Sequence, residues 1–237
     1  LMVASGLNKV FINWAMHKDT AKAKGVTETM PLAEKIKALK GLTVGVTNPG
    51  ALTAHLAAFV IRKAGYTPQQ DVQIIPVGAG PTWLAALENR KIDVALTAPP
   101  VPETAISRGF AIMFINNAKG EDPSIPEFLM ENLIARPETV AKEQDLVRRM
   151  VRALVRANQW ALKSGPEQVA DALKPFMAQT PPDLLLSGVR SVLPALSPDG
   201  RTTERSVQVT QDILEQAGIL KKRIAYSELV TNEFLPK

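Results

Sequence analysis

Leu42-Thr-Val-Gly-Val-Thr-Asn-Pro-Gly-Ala51 is the stretch that decides the fold. Leu42 to Val46 reads as a short buried strand, and Thr47-Asn48-Pro49-Gly50 is a turn by composition. A helix opens near Ala51, with Leu52, Leu56, Phe59 and Val60 on one face and Gly65 ending it. The rhythm then repeats. Asp71 to Val77 is a strand, Gly78-Ala79-Gly80 turns the chain, and Pro81 suits the first position of the next helix, where its missing N–H costs nothing. That helix carries Leu84 and Leu87 inward. Ile92 to Thr97 is a third strand, broken by Pro99 and Pro100, and a short helix runs to Arg108 with Gly109 at its end. Ala111 to Ile115 is a fourth strand. Strands alternating with helices over residues 41–116 are the signature of βαβ units and a parallel sheet. Right-handed crossovers place the three strand-to-helix turns at one edge of that sheet.

The flanks read differently. Met2 to Ala4 and Val10 to Met16 are expected as strands separated by Ser5-Gly6-Leu7-Asn8, and Phe128 to Ala135 as another extended segment ended by Arg136-Pro137. Beyond that the chain is mostly helical. A long amphipathic helix spans Asp145 to Lys163, with Val147, Met150, Val151, Leu154 and Ala161 expected inward, and ends at Gly165. Further helices are expected over about 166–178, 182–193 and 203–217, with Gly218 stopping the last and Ser197-Pro-Asp-Gly200 forming a turn.

Composition narrows the function classes. The 237 residues are 46% hydrophobic and 22% charged, enough to bury one large core or two small ones. No run of about 18 apolar residues is present, so no membrane-spanning helix is expected, and Leu1 to Lys18 lacks the marks of a secretory signal. With no cysteine, disulfides, thiolate nucleophiles and Cys-ligated zinc drop out. The net charge of +5 does not point to nucleic acid. The one dense basic run, Arg148, Arg149, Arg152 and Arg156, reads as a solvated helix face without interleaved aromatics. Long-range attraction of anionic ligands is what the charge favours.

Catalytic patterns are missing: no HExxH, GxSxG or SxxK occurs, and no phosphate loop. His55 reads as a solvated residue on a polar helix face and His17 as surface; Glu131 reads as the exposed side of a strand. Trp83 is expected to bury against a neighbouring helix, and Trp160 to lie in the core. The functional candidates are the three strand-to-helix turns, because ligands of open α/β sheets sit beyond the carboxyl ends of the strands. Helix starts there offer unpaired N–H groups and partial positive charge to an anion. Gly50, Gly78 and Gly80 permit close approach and positive φ, while Thr47, Asn48, Thr53, Thr82 and Thr97 supply polar side chains.

Leu39-Lys-Gly-Leu-Thr-Val-Gly-Val-Thr-Asn-Pro-Gly-Ala51 resembles the start of the second lobe in ABC-transporter solute-binding proteins of the nitrate/sulfonate/taurine and thiamine-precursor binding family. Ile75-Pro-Val-Gly-Ala-Gly-Pro81 with Leu84-Ala-Ala-Leu87, and Lys91-Ile-Asp-Val-Ala-Leu96 with Ala98-Pro-Pro100, match as well. So do Leu193 to Gly200, Ala217 to Lys222 and Phe234-Leu-Pro236. The resemblance implies a two-lobed, type II periplasmic-binding-protein-like α/β fold. Residues 20–118 would form the second lobe; residues 1–19 and 119–237 would form the first, with crossing strands near Val10–Met16 and Phe128–Ala135. It implies a ligand site between lobes made by Asn48, Gly50, Ala51, Leu52 and Thr53, by Gly78, Gly80 and Thr82, and by Thr97 and Ala98, faced by Ser5 and Asn8. It further implies a receptor outside the cytoplasm that closes on a small anion, a carboxylate or sulfonate, and delivers it to a membrane permease, with no cofactor, metal or catalytic residue. Relatives carry about two more βα units before the position of Leu1, so the first lobe is expected to be incomplete, with apolar surface exposed beyond residue 140 or covered by a homodimer. Two rival readings share the topology. One is the sensor domain of a regulator; the other is an enzyme like the thiamine-pyrimidine synthases, which the absence of cysteine disfavours.

Overall fold

The computed structural model describes residues 1–78 and 82–236. In chain order the strands are β1 (Met2–Leu7), β2 (Asn13–His17), β3 (Thr43–Val46), β4 (Gln73–Pro76), β5 (Val94–Thr97), β6 (Ala111–Ile115) and β7 (Glu131–Ile134). The helices are α1 (Lys18–Lys24), α2 (Leu32–Lys37), α3 (Leu52–Lys63), α4 (Thr82–Glu88), α5 (Val101–Ser107) and α6 (Pro137–Lys142), then α7 (Gln144–Ser164), α8 (Pro166–Leu173), α9 (Pro182–Val192), α10 (Glu204–Gln216) and α11 (Tyr226–Leu229). Two compact units result: Leu1–Val10 with Pro123–Lys237, and Phe11–Asp122.

The unit Phe11–Asp122 is built on a five-stranded sheet in the order β4-β3-β5-β2-β6. β3 runs parallel to β4 and β5, and β2 is antiparallel to both β5 and β6. The βαβ reading of residues 41–116 therefore holds, with helices connecting the parallel strands. Leu56, Val60 and Ile61 of α3 are buried, as are Val44, Val46, Val94 and Leu96. A second cluster packs Trp83, Leu87 and Ala105 against Ala15, Ile92 and Ala95. The strand β2 is inside this sheet, so residues 11–19, which the sequence reading placed with the first lobe, pack with the second. Its partners, β5 and β6, are some eighty to a hundred positions away, which local pattern does not show.

His17 corrects the surface reading. It is 6% exposed, its ring stacks on Phe110 at 6.5 Å, and its Nδ1 accepts the Asp19 backbone N–H at 3.2 Å to cap α1. Lys35 is fully buried; its Nζ donates to the Glu28 carbonyl at 2.7 Å and pairs with the Glu121 carboxylate. Glu121 in turn accepts the Asn116 N–H at 2.8 Å, which fixes the loop after β6.

In the other unit β1 pairs antiparallel with β7 as a two-stranded sheet, and α7 packs on it. Val3, Ala4, Val140, Val147, Val151, Val155 and Phe234 form the core there. A satellite cluster joins Ala161, Val169, Ala170, Leu185 and Val189. Asn158, buried on α7, donates to the carbonyls of Gly6 and Ser197 at 2.8 and 2.9 Å. The expected loop at Ser5–Asn8 is instead mostly strand, since β1 continues to Leu7. Two core expectations fail on α7: Met150 is 51% exposed and Trp160 is 47% exposed. The expected exposure of apolar surface beyond residue 140 is present at these residues and at Leu146.

Candidate functional site

Because β3, β4 and β5 are mutually parallel, their carboxyl ends share one edge of the sheet. The turn after β3 is tightly self-bonded. Asn48 Oδ1 accepts the Gly50 N–H at 3.1 Å, and the Asn48 carbonyl accepts the Ala51 N–H at 3.1 Å. Thr53, 5% exposed, uses its hydroxyl on the loop: it accepts the Thr47 N–H at 3.0 Å and donates to the Thr47 hydroxyl at 3.3 Å. Thr53 thus shapes the turn. Asn48 and Gly50 are exposed, and a Cβ on Gly50 would meet only Asn48 Oδ1 at 3.8 Å, so this backbone is open to close approach. Its φ is not positive, unlike that of Gly78.

Ala51 is the N-cap of α3 in extended conformation and makes no side-chain cap. Leu52 and Thr53 follow as the first helical residues, and no carbonyl among the described residues accepts their N–H groups. The start of a twelve-residue helix is left with orphan donors beside an exposed turn. That arrangement favours a negative group.

The turn after β4 is held by Trp83. Gly78 has φ +88°, its N–H donates to the Thr47 carbonyl at 3.1 Å, and its own carbonyl accepts the Trp83 indole N–H at 3.0 Å. Trp83 is buried as expected; its bond ties the β4 turn to α4, and the Gly78 N–H bond to the Thr47 carbonyl ties that turn to the one after β3. Thr82 is exposed at the head of α4; Gly80 lies outside the described residues. Thr97, 7% exposed, ends β5, and Ala98 follows it half-buried.

Sequence reasoning missed Asn13. It opens β2 directly opposite Thr97, fully buried, at the same edge of the sheet. Its Oδ1 accepts the Ala118 N–H at 3.3 Å, and its Nδ2 has no partner among the described residues. Only the pairing of strands distant in sequence brings it there. Ser5 and Asn8 belong to the other unit: Ser5 is buried in β1 with its N–H on the Gly200 carbonyl at 2.7 Å, and the Asn8 N–H donates to Ala195 at 3.0 Å.

The model of the NMT1-like family matches residues 3–174, which is most of the chain and includes every turn just described. The chain belongs to the NMT1-like family. Among curated proteins it is similar to YtlA, a candidate binding protein of Bacillus subtilis (strain 168), at 22% identity over 84% of the chain. The chain spans 59% of the length of that relative. Solved structures show the same fold in this NMT1-like chain. A protein from Bordetella bronchiseptica RB50 superposes with a TM-score of 0.73 at 22% identity, covering 98% of this chain and 72% of its own. The periplasmic aliphatic sulphonate binding protein SsuA from Escherichia coli superposes with a TM-score of 0.68 at 16% identity, covering 97% and 72%. The expected fold class, a periplasmic-binding-protein-like α/β fold, is therefore established. No helix among the described residues is long and apolar enough to cross a membrane.

Proposed function

We propose that this NMT1-like chain is the ligand-capturing part of a solute receptor for an ABC importer, acting outside the cytoplasm on a small organic anion. The observation that carries the reading is the start of α3, where the N–H groups of Leu52 and Thr53, without a partner among the described residues, lie beside the exposed Asn48–Gly50 turn. Backbone donors at a helix start recognise the charge of a carboxylate or sulfonate without doing chemistry on it. Net charge of +5 adds attraction at long range. Thr97 and Asn13 supply polar groups along the same edge, and the Trp83–Gly78 bond holds the neighbouring turn in place. Support from outside the chain comes from YtlA and SsuA, whose names describe binding proteins.

The test is a thermal-shift screen of short alkanesulfonates and carboxylates on the wild type and on Ala51→Asp. A carboxylate at the N-cap takes over the orphan donors, so the variant is expected to gain about 0.5–1 kcal/mol of helix stability. The same carboxylate competes with the ligand, and anion affinity is expected to fall about tenfold or more, or roughly 1.4 kcal/mol. A screen with no anionic hit and a clear hit for a heteroaromatic cation would overturn the ligand class.

A further inference from the structure

Among the described residues, the five-stranded sheet of the unit Phe11–Asp122 ends at β4 on one side and at β6 on the other. Gln73 and Val77 donate their N–H groups to the Leu42 and Val46 carbonyls at 2.9 and 2.8 Å, so alternation turns the backbone of Val72, Ile74 and Pro76 away from β3. Outward groups of this kind are a template for another strand. Three observations close the template along β4. The Val72 carbonyl accepts the Gln69 backbone N–H at 2.8 Å. Ile74 is bonded twice by the Gln69 side chain: its N–H donates to Oε1 at 3.2 Å, and its carbonyl accepts from Nε2 at 2.9 Å. Pro76 has no N–H to offer.

The loop before β4 is shaped to bring Gln69 there. Thr67 and Asp71 close it, with the Asp71 carboxylate accepting the Thr67 N–H and the Thr67 carbonyl accepting the Asp71 N–H, both at 2.9 Å. Gln69 sits between them at φ +69°, a conformation that favours glycine, and folds back beside the strand. Gln73 Nε2 donates to its carbonyl at 3.0 Å and holds it from the strand side. Gln69 is exposed, so burial does not place its amide; the two bonds to Ile74 do. The strand needs such a guard, because Val72-Gln-Ile-Ile-Pro-Val77 carries none of the charges that keep an apolar edge from pairing. At the opposite edge of the sheet the Met113 N–H is likewise taken by a side chain, the Glu28 carboxylate at 2.9 Å.

We propose that Gln69 is a built-in stand-in for a neighbouring strand, whose amide occupies the edge of β4 and keeps it from pairing with the β4 edge of a second copy of the chain. The geometry of Ile74 selects that partner. In an antiparallel pair, two residues directly opposite each other exchange both N–H···O bonds. Two β4 edges meeting at Ile74 would therefore make the same pair of bonds that Gln69 makes now, and would bring apolar Ile side chains together. All the bonds of the device join residues 67–74 of one unit, so it acts without help from the other unit or from a ligand.

Gln69→Gly tests this, because glycine suits φ +69° and only the side-chain bonds are lost; far-UV circular dichroism checks the fold. In dilute solution the Ile74 amide is expected to exchange its hydrogen about tenfold faster in the variant than in the wild type. As concentration rises, sedimentation velocity is expected to show association in the variant beyond any in the wild type, and the Ile74 amide is expected to become protected again. Adding Ile74→Pro to Gln69→Gly removes an outward donor that β3 does not use, and is expected to return sedimentation to wild-type behaviour. Equal exchange at Ile74 in the wild type and in Gln69→Gly would overturn the proposal. So would faster exchange without added association, association that leaves the Ile74 amide unprotected, or association that survives Ile74→Pro.

Discussion

At φ +76°, Gly200 holds a conformation that costs an ordinary residue about 1–2 kcal/mol, and a Cβ there would meet Val155 at 2.6 Å and Leu235 at 3.0 Å. Its carbonyl also anchors Ser5 of β1. Gly200→Ala is therefore expected to lose about 2–4 kcal/mol, combining the conformational cost with overpacking of the core under α7. Chemical denaturation would show it as a lower midpoint; an unchanged midpoint would mean that Val155 and Leu235 yield freely. A residue-scale pH effect belongs to Glu215. The Arg223 guanidinium, bonded to it at 2.6 and 3.0 Å, holds its carboxyl below the ordinary value of 4.5. A depressed carboxylate stabilises the fold above its unfolded value and ceases to do so as pH falls through the folded one. Wild type should melt higher than Glu215→Gln at neutral pH, with the gap closing in acid. The pair is exposed, so the gap is expected to be small and to shrink in salt.

Between elements, the indole of Trp83 on α4 is the link that positions the turn after β4. Trp83→Phe keeps an aromatic ring in the core but removes the donor to the Gly78 carbonyl, at an expected cost of about 1 kcal/mol. If the β3 and β4 turns act together on a ligand, calorimetric affinity should fall while the melting temperature drops only slightly; equal affinity would separate the β4 turn from binding. The elements of residues 41–116 were legible because each strand and helix there is announced by local period and by its own turn residues, such as Gly65 and Gly109 at helix ends. What was not legible depends on partners far along the chain. Nothing near Asn13 or His17 in sequence reveals β5, β6 or Phe110, and nothing near Ser5 reveals β7 or Gly200. On α7 the helical period was read correctly, but period alone places Met150 and Trp160 on an apolar arc without saying how much of that arc is covered. The turns of the candidate site were found for the same reason as the fold, through Gly, Asn and Thr in local patterns. The role of Thr53 in bonding its own loop was hidden because hydroxyl direction is not in the sequence.

For the whole molecule, two units with separate cores need not melt together. The unit Phe11–Asp122 packs helices on a five-stranded sheet, whereas among the described residues the other unit has a two-stranded sheet and leaves Leu146, Met150 and Trp160 of α7 exposed. Apolar area left in water contributes nothing to stability, so the unit containing α7 is expected to unfold first. The tryptophans make the order visible. Trp14 and Trp83 are buried in the five-stranded unit, and Trp160 is already half exposed in the other. Most of the long helices, α7, α9 and α10, belong to the unit with β7. Far-UV circular dichroism should therefore report a transition at lower denaturant than tryptophan fluorescence does. A small anion bound at the start of α3 should move the fluorescence transition, by about 2.7 kcal/mol at one hundred times its dissociation constant, through its affinity for the folded five-stranded unit. If that anion touches only this unit, the earlier transition stays where it was. Coincident transitions that shift together with ligand would show instead that the units fold as one cooperative body, and that the exposed apolar residues of α7 are too small a defect to separate them.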